Sequence, residues 1–482
     1  MQPPFGIHWF RRDLRVQGNP ALQWSHERFS GRVLGVFFFD SEFLSRPDFS
    51  YARFAYFLAA IEALREDLRE SGGDLLVLDE CPQAGFSRLV RALEASGHGK
   101  PGAVSFNRDY EPFARQRDAS VRQALELDLG VSVHIERDHL LIEPEEIAGP
   151  LGRSGRTYYQ VYSPFARRWF EKLHHPEVQK RIAASGRDPG RFQARWSEYV
   201  RADAFPDALR RFREEVAKRV SLELPAAGRR AGLAQVERFR QQRDDYAIQR
   251  DFPALAGTSR LSLFFKNGSL TVADSIRLLG LHQETFQGGT SKTRFVKELA
   301  WREFYYHILW HCPRVETEAF IQKFRNLDWE NREDYFEAWK NGKTGFPLVD
   351  AGMRELRATG WMHNRVRMVV ASFLTKDLLI DWRWGERYFM EALLDGDLAP
   401  NNGGWQWAAS TGCDPQPYFR VFNPVLQSRK FDPDGTYIRK WVPEACDQSG
   451  RVRHEPIAPV VDHAKQKLKA LAMYAAAKGE SP

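Results

Sequence analysis

Over roughly the first 140 residues, short and continuously apolar runs alternate with longer stretches in which apolar side chains recur every three or four positions. The runs at 6–10, 33–39, 75–78, 103–107 and 131–136 predict strands. Between them, 51–71 and 85–96 carry the clearest helical patterns. In the first of these, Phe54, Phe57, Leu58, Ile61, Leu64 and Leu68 recur at helical spacing. Such alternation predicts a doubly wound parallel sheet with helices on both faces. Ligands of these sheets bind beyond the carboxyl ends of the strands, where Arg11, Arg12, Asp13, Asp40 and Asn107 to Tyr110 fall. No GxGxxG follows one of these strands to open a helix, so a dinucleotide pocket of the usual kind is not expected there. From 138 the pattern loosens, with Gly and Pro punctuation and one helix at 164–173. From about 231 strand signals vanish and helical periodicity runs to 439, with a last helix at 465–477. The expected organisation is an α/β domain over 1–137, a connector over 138–230 and a large all-α domain over 231–482.

Composition narrows this picture. Hydrophobic residues at 43% and charged residues at 28% fit a globular chain, and no apolar run is long enough for a signal peptide or a membrane span. Cys81, Cys312, Cys413 and Cys446 form no CxxC pair, so neither a disulfide framework nor a metal site is expected, and a reduced cytoplasmic compartment fits. A net charge of +7 permits an anionic partner such as nucleic acid without demanding one. The 14 Trp invite a role in stacking or electron transfer beyond packing.

Four stretches carry candidate chemistry. Gly257-Thr258-Ser259-Arg260-Leu261-Ser262 opens a helix with hydroxyls and an Arg, which suits either a plain N-cap or an anion; Tyr246 and Arg250 lie just before it. The helix at 293–312, stopped by Pro313, puts Glu298, Trp301, Arg302 and Tyr305 on one face. That stripe suits an ion-paired amphipathic helix, or a pocket wall that stacks a flat ligand on Trp301 and takes its N–H donors at Glu298. The pattern at 360–377 repeats the arrangement, with Asn364, Arg367, Met368 and Ala371 sharing a face and Arg365 pointing elsewhere. Asn offers both the donor and the acceptor that a nucleobase edge requires. Finally, Asp395-Gly396-Asp397 and Asn401-Asn402-Gly403-Gly404 precede Trp405-Gln406-Trp407. This is either a polar turn or a place where backbone approaches a ligand closely.

With these motifs in view, the chain resembles the photolyase/cryptochrome family over essentially its full length, and more closely its class I cyclobutane pyrimidine dimer branch. The resemblance is carried by HWFRRDLR from His8, TSRLS from Thr258, KELAWREFYYH from Lys297, the stretch from Thr344 through GWMHNRVRM to Leu378, WRWGERYF from Trp382, DGDLAPNNGGWQWAASTG from Asp395 and PYFRVFNP from Pro417. It implies an antenna domain at the N-terminus and a helical domain that holds FAD. By family position, Tyr246, Thr258, Ser259, Leu261 and Ser262 hold the FAD phosphates. Arg302, Asn364, Arg367, Asp395 and Asp397 contact the rest of the flavin, and Asn401 faces its N5. Glu298, Trp301, Asn364, Met368 and Trp407 receive the lesion, and Arg365 and Arg420 bind flanking phosphates. Trp405, Trp382 and Trp329 match the electron-hopping chain. The implied activity is light-driven repair of cyclobutane dimers in UV-damaged DNA by a deoxyribodipyrimidine photo-lyase acting as a monomer; the alternative is a cryptochrome-type blue-light photoreceptor. The intact lesion pocket and the lack of a long C-terminal extension favour repair, and Asn364 with Met368, where six-four enzymes carry a His pair, argues against six-four lesions. Folate-binding members have a Cys-Lys pair where Glu316-Thr317 stand here, although Glu111 matches. The second chromophore is therefore left open between a deazaflavin, a folate, another flavin and none.

Overall fold

In the computed structural model, residues 3–40, 44–46, 48–147 and 157–479 are described. The chain divides into two compact units. The first holds Met1–Ile147, Arg167–Gln241 and Ser259–Gly288; the second holds Ala148–Ala166, Gln242–Thr258 and Gly289–Pro482.

In the first unit, β1 (Gly6–Trp9), β2 (Val33–Phe38), β3 (Leu75–Leu78), β4 (Ala103–Asn107) and β5 (Ser132–Glu136) form one parallel sheet in the order β3-β2-β1-β4-β5. Gly6 is in register with Val33 on one side and Ala103 on the other. The three central strands are buried throughout, which explains why they are apolar runs rather than alternating ones. The helices α1 (Pro20–Arg28), α2 (Tyr51–Glu70), α3 (Pro82–Ala95) and α4 (Pro112–Gln123) follow strands β1 to β4 in turn. Asn19 and Ser50 cap the first two through their side-chain oxygens.

The strand ends do gather polar groups, but these groups bond one another. Asn107 donates to Asp13 at 2.6 Å and to Asn19 at 2.7 Å, and Arg11 reaches Asp118 while lying over Trp9 and Phe106. Much of the stretch expected as a connector is packed into this unit: Phe192, Leu209, Phe212 and Val216 share a buried cluster with Phe37, Phe39, Phe54 and Leu58. Residues 148–156 of that stretch lie outside the described residues.

The second unit is helical. Its frame is α5 (Ser291–His311), α6 (Pro347–Thr359), α7 (Asn364–Lys376), α8 (Trp382–Ala392) and α9 (Leu398–Ala408). The pattern at 360–377, expected as one helix, begins later. Gly360 ends α6 in the left-handed conformation (φ 64°), and His363 caps α7 by accepting from the Arg365 N–H. The NNGG tetrad, a possible turn by composition, lies inside α9. The reason is steric. A Cβ at Gly403 would sit 2.0 Å from the Tyr305 ring of α5, so only glycine lets the two helices approach this closely. Gly385 of α8 has the same role towards Trp405, whose ring edge would be 2.1 Å from an added Cβ. No helix among the described residues is long and apolar enough to cross a membrane.

Gly385→Ala is therefore expected to destabilise the protein by about 1–3 kcal/mol, the cost of overpacking a filled site. Alanine's helix advantage of about 1 kcal/mol offsets only part of this. Denaturant unfolding of the wild type and the variant measures the balance; equal midpoints would remove the steric argument.

Candidate functional site

The stripe predicted on α5 lies on the helix's less buried side: Glu298, Trp301, Arg302 and Tyr305 are all half-buried, while Leu299, Ala300, Glu303, Phe304 and Tyr306 are buried. Glu298, Trp301 and Arg302 are each held by a group from elsewhere in the unit. Arg250 donates to Glu298 at 2.5 Å and lies 5.3 Å from the centre of the Tyr246 ring. Burial works against the Arg250 charge, but Glu298 beside it raises its pKa above the ordinary arginine value. Tyr162 stacks flat on Trp301, with centroids 3.6 Å apart and planes within 7°, and its hydroxyl donates to the Lys297 carbonyl at 2.7 Å. One face of the indole is thus taken by protein. Phe304 meets Trp301 edge-on. Arg302 lies over the Tyr306 ring and 3.6 Å from Asp397, which also accepts the Tyr306 hydroxyl at 2.6 Å.

On α7, Asn364 is exposed and Met368 half-buried, as a shared face requires. Arg367 donates from Nη2 to both oxygens of Asp395 at 3.1 and 3.0 Å and from Nε to the Met362 carbonyl. Arg365, on another side of the helix, donates to Asp251 at 2.7 Å and stacks over Phe431. His363 is buried with its Nε2 unpartnered, and burial pulls its pKa down to about 4. At the other end of α7, Lys376 is fully buried and bonds both Ser410 Oγ (2.8 Å) and the carbonyl of exposed Arg420 (3.1 Å). Burial lowers its pKa to about 7.

On α9, the Asn401 amide nitrogen is fixed by the backbone oxygen and the carboxylate of Glu386, at 3.0 and 3.1 Å. Trp405 is buried edge-on to Phe389 and Trp339. It shares one apolar cluster with Trp382, and Trp329 packs on the margin of that cluster, so the three indoles of the expected electron path lie in one body. Trp407 is half-buried near Phe422.

The expected phosphate set is divided between the units. Tyr246, buried edge-on to Phe295, and half-buried Thr258 belong to the second. Ser259, Leu261 and exposed Ser262 belong to the first, where Ser259 Oγ accepts from the Leu261 N–H across a turn that holds Arg260 at φ 52°. The sequence pattern gave no sign of Tyr162, Asp251, Glu386 or Lys376, because each acts through a partner far away in the chain.

The second unit fits a flavin. A Cβ at half-buried Gly404 would meet nothing within 4 Å, so open space borders α9 beside buried Trp405. The Trp405 indole N–H, although buried, has no acceptor, the kind of unmet donor that a bound ligand satisfies. The Arg367–Asp395 and Arg302–Asp397 pairs add fixed donors and acceptors of the sort a flavin's polar edge uses.

Comparison with known proteins agrees with this fit. The profile for the FAD binding domain of DNA photolyase matches residues 295–477, and that for DNA photolyase matches residues 6–183. The deoxyribodipyrimidine photo-lyase of Salmonella typhimurium is 37% identical over 98% of this chain and 99% of its own length. Among solved structures, a class III photolyase from Agrobacterium tumefaciens aligns with a TM-score of 0.82 at 32% identity, covering 99% of this chain and 98% of that one. An archaeal photolyase from Sulfolobus tokodaii, solved with two FAD molecules, aligns with a TM-score of 0.78 at 32% identity over 98% and 99%.

The buried imidazole makes a pH prediction. Between pH 6.5 and about 4 the unfolded chain binds a proton that folded His363 refuses, so stability falls as pH drops through this window. His363→Asn keeps a capping acceptor and removes that proton. The stability gap between wild type and variant should shift by roughly 1.5 kcal/mol in the variant's favour from pH 6.5 to 5. Urea unfolding at the two pH values measures the shift; a constant gap contradicts it.

Proposed function

Given that this chain belongs to the DNA photolyase family, we propose that it splits cyclobutane pyrimidine dimers in UV-damaged DNA, using light absorbed by reduced FAD. It is a carbon–carbon lyase of DNA repair. The observation that best supports the substrate is the pairing of a carboxylate and a flat apolar surface one turn apart, Glu298 and Trp301, on the less buried side of α5. A flipped pyrimidine requires both, an acceptor for its N–H edge and a plane for its ring. A dimer is already weakly paired, so extruding it costs less than flipping an intact base, a few kcal/mol at most. Stacking offsets about 1–3 kcal/mol per base.

In this reading Tyr162 holds the Trp301 plane from behind while the opposite face, with Trp407, meets the dimer. Glu298 and Asn364 bond the pyrimidine edges and Met368 fills the remaining apolar contact. Arg365 and Arg420 take the flanking phosphates. Tyr246, Thr258, Ser259, Leu261 and Ser262 serve the FAD phosphates. Arg302, Arg367, Asp395, Asp397 and Asn401, with Asn364, orient the rest of the cofactor. When bound, reduced FAD would supply the light-driven one-electron chemistry that ring opening requires. Trp329, Trp382 and Trp405 would feed electrons inward through the protein. The protein acts as a monomer, with residues 1–137 serving as the antenna domain and 231–482 as the FAD- and DNA-binding domain. Extraction with absorption spectroscopy distinguishes the alternatives for a second chromophore: a deazaflavin, a folate, another flavin or none.

Purified protein, reduced and lit with blue or near-UV light, should restore dimer-containing oligonucleotides. Absence of repair with FAD bound would favour a photoreceptor instead. Trp301→Ala should weaken binding to damaged DNA by about 1–3 kcal/mol while FAD stays bound; equal losses on undamaged DNA would remove the stacking role. Trp405→Phe should slow photoreduction of oxidised FAD and spare repair by chemically reduced enzyme, and unchanged photoreduction would exclude it from the electron path.

A further inference from the structure

Arg250 and Asp251 are neighbours in the chain, of opposite charge, and each neutralises a different group assigned above to DNA. Arg250 is bonded to Glu298, the acceptor for the pyrimidine edge. Asp251 is bonded to Arg365, the phosphate ligand, whose guanidinium also lies 4.3 Å from the centre of the Phe431 ring. The Arg365 Nε is buried without a partner, so the head is incompletely satisfied where it stands. The Asp251 side chain is 35% exposed and that of Arg365 is 18% exposed, so a phosphate that reached Arg365 would also face the carboxylate. Asp251 is already among the charges that act on Arg250.

We propose that Asp251 is a specificity-determining residue, which keeps Arg365 from phosphate until a flipped dimer takes Glu298 from Arg250. The inference rests on the lesion-binding reading above. When pyrimidine N–H groups occupy Glu298, Arg250 is released beside Asp251 and becomes its counter-ion. Arg365 is then free for the flanking phosphate; Arg250, Asp251 and Arg365 each keep an opposite charge, and Glu298 keeps hydrogen-bond donors. An undamaged strand offers nothing to Glu298. Arg250 remains where it is, and a phosphate that captures Arg365 leaves Asp251 unpaired next to a like charge. The carboxylate therefore penalises undamaged DNA more than damaged DNA, although it touches neither.

The test uses the FAD-loaded enzyme with dimer-containing and undamaged oligonucleotides over a range of salt. Asp251→Asn keeps the shape and a hydrogen-bonding oxygen but removes the charge. Affinity for undamaged DNA should rise about tenfold and for damaged DNA about twofold, so that discrimination narrows about fivefold. The salt dependence of undamaged binding should steepen by about one phosphate contact. Asp251→Glu, which retains the charge, should keep the wild-type discrimination, and flavin absorbance in each variant checks folding. Equal gains on both DNAs would overturn the proposal, because the carboxylate would then only compete for Arg365. A loss on both would overturn it too, because Asp251 would then be holding Arg365 in place for DNA. Repair and damage preference of the wild type report separately on the lesion-binding reading; a wild type without either would bring down both.

Discussion

A charge removed from water must be given a partner, and in the second unit that requirement decides how the helices are joined around the candidate site. Arg367 of α7 meets Asp395 in the segment before α9, Arg302 of α5 meets Asp397 at the cap of α9, and Arg250 and Asp251 meet Glu298 and Arg365 from the segment before α5. Each pair joins two elements that are distant in sequence. Together they place donors and acceptors around one region without leaving an isolated buried ion. The same pairs that hold the helices also orient the groups a planar ligand would meet, so support and recognition share the same side chains.

Apolar packing sets the distances between which those pairs operate. Gly403 lets α9 lie against Tyr305, and Gly385 lets α8 lie against Trp405. Trp405 and Trp382 then fall into one apolar body with Trp329 at its edge. A low-polarity surround of this kind holds aromatic rings still and keeps water from them. An electron path needs both properties; an ordinary core needs only the first.

The sequence made the elements legible because their periods are local. The central strands are apolar throughout because both of their faces are covered, and Glu298, Trp301, Arg302 and Tyr305 share a stripe because helical spacing demands it. The breaks were harder to read. Gly360 and His363 end one helix and begin the next inside a pattern that looks continuous, and the glycines of α9 resemble a turn until the ring of Tyr305 is known to press on them. The partners could not be read at all. Nothing in the neighbourhood of Trp301 announces Tyr162, and nothing near Arg365 announces Asp251, since a pairing across more than a hundred residues has no period. The expectation that Asn401 meets a cofactor likewise rests on whole motifs and their order, because no single spacing distinguishes it from an ordinary helical amide.

Lys376 has a mechanical consequence. It occupies the last turn of α7, and Asn364 occupies the first, about 18 Å away along the axis. Its amine nitrogen is bonded at once to Ser410, just past the end of α9, and to the Arg420 carbonyl. A helix so anchored behaves as a strut clamped at its far end. The exposed loop around Arg420 is thereby fastened to the same helix whose first turn carries Asn364.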